Sequence, residues 1–157
     1  MLIRLFEEKD ANEVAKLIAE TLRTTNIKDY SSDYIEKDIQ RLNPQKLINR
    51  SKWMHFYVFI IENKIVACGG IGQYFDKLDE SSLFTVFVLP EYQGKGIGRK
   101  IIETLEKDEF FLRAKRIEIP ASITACQFYI KMGYGYKNGI NNIDKEGLYR
   151  LEKWRIK

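Results

Sequence analysis

Histidine, cysteine and proline are scarce in this chain, whose 157 residues include one histidine, two cysteines and three prolines. A serine or cysteine hydrolase would have to depend on the imidazole of His55, and no Gly-x-Ser-x-Gly segment accompanies it, so we expect His55 to be a strand-edge residue. Cys68 and Cys126 lie far apart in apolar segments, which predicts two buried free thiols. Ligands for a metal are too few. These shortages argue against hydrolases and metalloenzymes.

Long apolar runs and a strong charge imbalance are also missing. No apolar run approaches the ~20 residues that span a bilayer, and the N-terminus lacks the organisation of a signal peptide. Lys+Arg (26) exceeds Asp+Glu (22) by only four, and the charges are interspersed along the chain. So small a surplus indicates neither nucleic acid nor a membrane surface as a partner. We therefore expect a cytoplasmic protein.

What the chain does contain is typical of a globular domain. Hydrophobic residues make up 45% and aromatic residues 13% of a chain about as long as one domain. No internal repeat, low-complexity segment or linker interrupts it. We expect a single domain, 1–157.

The most informative stretch begins with the apolar, β-branched and aromatic run 84–89, which predicts a buried strand that ends at Pro90. Glycines follow at every second position, Gly94, Gly96 and Gly98, and apolar residues at helical spacing then predict a helix over 97–105. Glycines let a backbone approach a ligand closely, and the free amides at a helix start favour phosphate. The stretch therefore predicts a strand, a phosphate-binding loop and a helix.

The spacing of these glycines excludes the two common nucleotide motifs. A dinucleotide Gly-x-Gly-x-x-Gly pattern would need glycine where the chain has Arg99 or Ile101. A P-loop would need a Lys-Ser or Lys-Thr pair after its last glycine, and none is present. The phosphate ligand has to be of another kind.

Periodicity predicts the remaining elements. Helices are expected at about 10–23, from Ser31 or Ser32 to Asn43, and at about 122–132, with a further helical turn at 46–48. Strands are expected at 1–6, 55–61, 65–71, 116–120, 134–136 and 148–156, and polar loops at 76–80 and 137–147. This order predicts an α+β fold with one central, mixed and mostly antiparallel sheet of about seven strands, flanked by about four helices.

Two segments resemble a known family. Gln93–Gly98 resembles the acetyl-CoA pyrophosphate loop of the GNAT acyltransferase superfamily, Gln/Arg-x-x-Gly-x-Gly/Ala. Ser122–Tyr134 is similar to the family's helix Asn-x-x-Ala-x-x-x-Tyr-x-x-x-Gly-Phe at its alanine, tyrosine and glycine, with Ser122 and Tyr134 as departures. Together they cover about 84–134, and the flanking elements follow the family's order.

The resemblance implies an N-acetyltransferase that passes the acetyl group of acetyl-CoA directly to a primary amine of a small molecule or a protein in a ternary complex. Tyr129 would protonate the departing thiolate. Ser122 would replace the asparagine that bonds the pantetheine arm, or would serve only as a helix cap. The implied cofactor-binding residues are Val86, Phe87, Val88, Gln93, Gly94, Lys95, Gly96, Ile97, Gly98, Arg99 and Ser122.

The general base is not fixed by the resemblance. Many relatives carry a glutamate in the strand where this chain has Leu83–Thr85, which holds no acid. Glu118 is the leading candidate because some relatives place a base in the strand before the tyrosine helix. Glu80, Asp79 or an ordered water remain alternatives.

The acceptor and the assembly also remain open. The segment 22–34 and the loop 137–147 would flank the acceptor, and Tyr30, Tyr34, Tyr74 and Phe75 could form an aromatic wall. A homodimer is left open. Because Leu83–Thr85 holds no acid, a second hypothesis remains, a non-catalytic acyl-CoA-binding module of the same fold. A third hypothesis is a generic phosphate-binding domain.

Overall fold

A computed structural model describes residues 1–155 as a seven-stranded sheet with six α-helices. The strands are β1 (Leu2–Leu5), β2 (Met54–Ile61), β3 (Lys64–Tyr74), β4 (Lys77–Val88), β5 (Arg116–Ser122), β6 (Gly135–Tyr136) and β7 (Leu148–Trp154). The helices are α1 (Ala11–Thr24), α2 (Ser32–Arg41), α3 (Pro44–Ser51), α4 (Ile97–Leu105), α5 (Glu109–Leu112) and α6 (Cys126–Lys131).

The strands lie in the order β1-β2-β3-β4-β5-β7-β6, and the pairing of β4 with β5 is the one parallel pairing among the described strands. The helices α1, α2 and α3 form one group, in which α1 and α3 contact the sheet, whereas α4 rests on β3 and β4. Successive residues of a strand point to opposite faces of the sheet. On β3, accordingly, Gly69 faces Ile101 of α4, whereas Gly70 faces Met54. The mixed, mostly antiparallel sheet predicted from the sequence is confirmed.

One apolar core joins the sheet and the helices. Fully buried side chains come from the central strands β2 to β5, from β7 and from four of the helices. The largest of them are Phe56, Phe59, Ile18, Leu22, Ile35, Leu47, Ile71, Leu83, Ile101, Leu105, Ile117 and Leu151. The amphipathic spacing of α4 puts all four of its apolar side chains into this core.

Some predicted elements were wrong in extent. Residues 77–80, predicted as loop, begin β4, where Glu80 is buried and pairs with Arg116 across to β5. The helix predicted over 122–132 covers only Cys126–Lys131, because Ser122 still belongs to β5. The single turn predicted at 46–48 is a full helix, α3, and α5 was not predicted, so six helices replace the expected four. The predicted strand end at Ile156 lies outside the described residues.

Within the described residues, no helix is long and apolar enough to cross a membrane.

Candidate active site

The sheet opens between β4 and β5. Their parallel pairing runs from Glu80 opposite Arg116 to Ser82 opposite Glu118 and then stops. Beyond that point β5 continues beside β7, and β4 continues beside β3. The second half of β4 therefore has an unpaired edge that faces a gap in the sheet.

A bulge in β4 marks the same point. The register with β3 shifts between the pairs Gly70–Phe84 and Cys68–Phe87, and Thr85 has a φ of +55°, which is strained for a β-branched residue. The thiol of Cys68 donates to the carbonyl of Thr85 at 3.3 Å. No feature of the local sequence predicts this bulge.

The alternation of an antiparallel pair tells which amides face the gap. The N–H of Leu89 donates to the carbonyl of Val66, so Leu89 and Phe87 point their backbone groups at β3. Val86 and Val88, the residues between them, point theirs at the gap. The side-chain amide of Gln93 donates to the Val88 carbonyl at 3.0 Å, in agreement with that direction. Of the three predicted strand residues, Val86 and Val88 thus offer free N–H groups and Phe87 does not.

The glycine loop lies directly after this strand. A 3-10 turn at Pro90–Tyr92 leads into it, and Gly94 and Gly96 adopt φ values of +73° and +83°, conformations that favour glycine. A Cβ at either position would meet no atom within 4 Å, so the space beside these two glycines is open. Gly96 is the N-cap of α4.

The first amides of α4 take no part in the helix's own hydrogen bonds. The first helical hydrogen bond of α4 runs from the N–H of Lys100 to the carbonyl of Gly96, so the N–H groups of Ile97, Gly98 and Arg99 have no intrahelical partner. The positive end of the helix dipole lies at the same place. Such a concave run of free amides fits a diphosphate.

Gly98 has a different role from the other two glycines. A Cβ there would lie 3.0 Å from Cζ of Phe128 on α6, which is closer than ordinary contact. The absence of a side chain lets α4 and α6 approach each other. Gly98 therefore links the glycine loop to the helix that carries Tyr129.

The side chains around the loop are partly committed. Lys95 and Arg99 are exposed and form no ion pair with the described residues, and Nζ of Lys95 lies 5.4 Å from the ring centroid of Tyr92. Ser122 is half-buried, and its hydroxyl accepts from the N–H of Ala125 at 3.1 Å in the turn before α6. Lys95 and Arg99 thus leave positive charge at the rim, whereas Ser122 closes a local turn.

Tyr129 is buried, with 5% of its surface exposed, and stacks edge-on with Phe128 and Tyr134. Its hydroxyl makes no hydrogen bond with any described residue. Burial raises the pKa of this hydroxyl above its usual value, and Cys68 adds to the rise. The phenol is therefore protonated at neutral pH and free to donate.

A groove of about 620 Å³ lies beside the point where β4 and β5 part. Ser82 and Phe84 of β4 and Glu118 and Pro120 of β5 line it, so it borders the gap. Five of its eleven lining residues are aromatic. The aromatic lining residues are Trp53, Tyr74, Phe75, Phe84 and Phe110, and the others are Gln73, Ser82, Arg113, Glu118, Pro120 and Arg150.

Glu118 is 2% exposed and is the one carboxylate that lines this groove. Its Oε1 lies 2.9 Å from Nη2 of Arg116 and 2.9 Å from Nζ of Lys137. Its Oε2 makes no hydrogen bond with the described residues and lies 3.8 Å from Nη1 of Arg150. One carboxylate oxygen is thus held by two cations and the other remains available.

The other acids considered as a base form ion pairs with neighbouring cations. Glu80 is buried and pairs with Arg116, and Asp79 is exposed and pairs with Lys115 at 3.0 Å.

The proposed aromatic wall divides into two pairs. Tyr74 and Phe75 line the groove, whereas Tyr30 and Tyr34 stack at 4.4 Å and hold the loop 137–147 through the carbonyls of Gly147 and Glu146.

His55 and the two cysteines do not line the groove. His55 Nδ1 lies 2.8 Å from the carboxylate of Asp108, which also accepts from the hydroxyl of Tyr57. Both cysteines are buried and free, as predicted. Residues 1–155 contain no group of three or more His, Cys, Asp or Glu side chains that could hold a metal ion.

Comparison with known proteins bears on the whole arrangement. A family model described as an acetyltransferase (GNAT) domain matches residues 52–135. A comparison with curated proteins returns no match.

Many solved structures share the fold. A PaiA N-acetyltransferase from Thermoplasma acidophilum, in complex with coenzyme A, is 21% identical over 98% of both chains with a TM-score of 0.81. A GCN5-related N-acetyltransferase from Rhodopseudomonas palustris is 20% identical over 98% of this chain and 94% of its own, with a TM-score of 0.79. A ribosomal-protein-alanine N-acetyltransferase from Brucella melitensis is 17% identical over 98% of this chain and 99% of its own, with a TM-score of 0.65.

Proposed function

The chain belongs to the GNAT acetyltransferase family, whose domain model matches more than half of it, and on that premise we propose that it transfers the acetyl group of acetyl-CoA to a primary amine. The observation that carries the proposal is the gap beside β4, where the free amides of Val86 and Val88 continue into the open glycine loop. The groove borders this gap, so a thioester held along the strand edge would lie next to an amine in the groove.

The loop and the strand edge suit a coenzyme A ester. The amides of the loop, from Gly94 to Arg99, would hold the diphosphate, with Lys95 and Arg99 adding positive charge at the rim. The N–H groups of Val86 and Val88 would bond the pantetheine arm and polarise the thioester carbonyl. The bound ester supplies the acyl group, and the chain supplies its orientation.

Tyr129 is the proposed acid. In water a phenol with a pKa near 10 is a weak donor to a thiolate whose conjugate acid has a pKa near 8.5. The surroundings of Tyr129 change this comparison, because burial also raises the pKa of the neighbouring Cys68 thiol. A thiolate that leaves in the same apolar surroundings would likewise be a stronger base than in water, and Tyr129 can donate to it.

Glu118 is the proposed base. An ammonium has no lone pair, so the acceptor has to lose a proton before it attacks. Glu118 lines the groove, and its Oε2 makes no hydrogen bond with the described residues, while Arg116 and Lys137 fix the carboxylate through Oε1. Glu118 can therefore receive that proton directly or through one water.

A thiol-release assay with acetyl-CoA against a panel of amines, amino acids and peptides tests the function. We expect release with at least one primary amine. Tyr129→Phe should lower kcat by about 10²-fold or more while leaving the KM for acetyl-CoA unchanged, because it removes a proton donor and no binding contact. Wild-type turnover in this variant would dismiss Tyr129 as the acid.

One feature favours the second candidate, a non-catalytic acyl-CoA-binding module. Leu83–Thr85 holds no acid, and Oε1 of Glu118 is already engaged by both Arg116 and Lys137. Coenzyme A binding without thiol release across the whole panel would favour the module over the enzyme.

A further inference from the structure

Lys137 lies where an amine acceptor would be expected to bind. Its Nζ is 2.9 Å from Oε1 of Glu118 and 3.4 Å from the hydroxyl of Tyr74. The same nitrogen lies 5.5 Å from the centroid of the Tyr74 ring. A carboxylate, a hydroxyl and an aromatic face around one primary ammonium make a complete ammonium-binding site.

The groove offers no second carboxylate for such a cation. Glu118 is the one carboxylate among its lining residues, and the other charged lining residues are Arg113 and Arg150. Two of its aromatic rings already have a protein cation beside them, since Arg113 lies 4.4 Å from the Phe110 ring centroid and Arg116 lies 5.1 Å from that of Tyr74. Among the lining residues, an acceptor ammonium that enters the groove can therefore form an ion pair only with Glu118.

Lys137 is held in this position as a cation but is not enclosed. The hydrogen bond to Glu118 raises the pKa of Lys137 against the opposing effect of burial. The side chain is nevertheless 32% exposed, and it stands at the start of the loop 137–147, just before Asn138 with its φ of +54°. Its head group can leave without any change in the sheet.

We propose that the Lys137 ammonium occupies the acceptor's ammonium site on Glu118 and Tyr74, so that the acceptor is a primary alkylammonium that displaces it. The site then selects what Lys137 itself presents, a primary ammonium on a short unbranched aliphatic stem. The identification of the ligand as the acceptor rests on the proposed function, but the ammonium-binding site does not depend on the reaction.

The test is calorimetric titration of n-butylammonium, which has the stem and head group of a lysine side chain, in the absence of acetyl-CoA. Removal of the internal competitor should strengthen binding, so we expect Lys137→Ala to bind n-butylammonium at least about tenfold more tightly than the wild type. Lys16→Ala removes the same charge from an exposed position on α1 and should match the wild type.

Glu118 supplies the second arm. In Lys137→Ala/Glu118→Gln the gain should disappear, because the carboxylate that pairs with the ammonium is gone. If circular dichroism shows that Lys137→Ala is unfolded, Lys137→Gln, which keeps a polar group near Glu118, replaces it with the same expectation.

Binding by the Lys137 variant no tighter than by the wild type, or a gain that survives Glu118→Gln, would overturn the proposal. Neither result depends on catalysis. A protein that binds n-butylammonium as expected but releases no thiol would refute the proposed function and leave the ammonium site standing.

Discussion

Arg116 is the residue on which the charges of the site depend. Its side chain is 6% exposed, and its guanidinium bonds three carboxylates, Glu80, Glu118 and Glu152, at 2.9–3.1 Å. Burial opposes the charge, but the hydrogen bonds to these carboxylates raise the pKa of Arg116 above its usual value. One buried cation thus holds the proposed base and ties β4, β5 and β7 together.

Arg116→Met should lower the free energy of unfolding by about 3–5 kcal/mol at pH 7, because it leaves three carboxylates close together with their shared cation removed. The loss should shrink as the pH is lowered towards 4, since protonation of the carboxylates removes their repulsion. Urea unfolding at several pH values measures both effects. A loss that stays constant over this range would mean that packing, and not charge, is what Arg116 contributes.

The sequence could reveal some of these residues and not others. Tyr129 and the glycines stand at motif spacings, and Glu118 stands in a recognisable strand. Lys137 and Arg150, which approach Glu118 from a loop and from β7, have no sequence relation to it, because contacts between distant elements exist only in the fold. For the same reason Glu80, which is buried and pairs with Arg116, was predicted to lie in a charged loop.

At the scale of the elements, α4 and α6 meet through Gly98 and the Phe128 ring. This contact matters because one helix begins at the glycine loop and the other carries Tyr129. The distance between the proposed phosphate site and the proposed acid is therefore set partly by how closely the two helices approach.

Gly98→Ala should lower the free energy of unfolding by about 1–3 kcal/mol, because its Cβ would lie 3.0 Å from the Phe128 ring and force the helices apart. Gly135→Ala is the control. A Cβ at Gly135 meets no atom within 4 Å, and we expect a change within about 0.5 kcal/mol. Chemical denaturation of the two variants measures the difference, and equal effects would refute a tight contact between α4 and α6.

The elements differed in how well the sequence predicted them. The predicted bounds of long periodic segments such as α1, α4, β2 and β3 lie close to the observed ones. Their apolar residues repeat over several helical turns or along several strand residues, which makes them easy to recognise. The four-residue helix α5 is too short for a period, and the bulge at Thr85 depends on the register of β4 against β3. The parting of β4 and β5, which creates the site, likewise follows from pairing and not from any local pattern.

At the scale of the whole molecule, one core of buried side chains extends from Phe6 to Leu151 and includes residues from β2 to β5, from β7 and from all six of the described helices. A continuous core of this kind favours cooperative unfolding. The prediction that residues 1–157 form a single domain can be tested on this basis.

Differential scanning calorimetry should give one transition, with equal van't Hoff and calorimetric enthalpies of roughly 110 kcal/mol, as expected for 157 residues at about 0.7 kcal/mol per residue. Two resolved transitions, or a van't Hoff enthalpy far below the calorimetric one, would mean that the chain contains more than one folding unit.

The central claim is that the free amides between Gly94 and Arg99 bind the diphosphate of coenzyme A, and titration calorimetry with coenzyme A tests it most directly. Gly96→Glu places a carboxylate in front of these amides, and Gly139→Glu is its matched control, with a φ of +72° and no atom within 4 Å of its Cβ. We predict that the wild type and Gly139→Glu bind coenzyme A alike, and that Gly96→Glu, still folded by circular dichroism, binds it at least about 100-fold more weakly, a difference of roughly 2.7 kcal/mol. Equal affinity of Gly96→Glu and the wild type, or no binding by the wild type, would contradict the account.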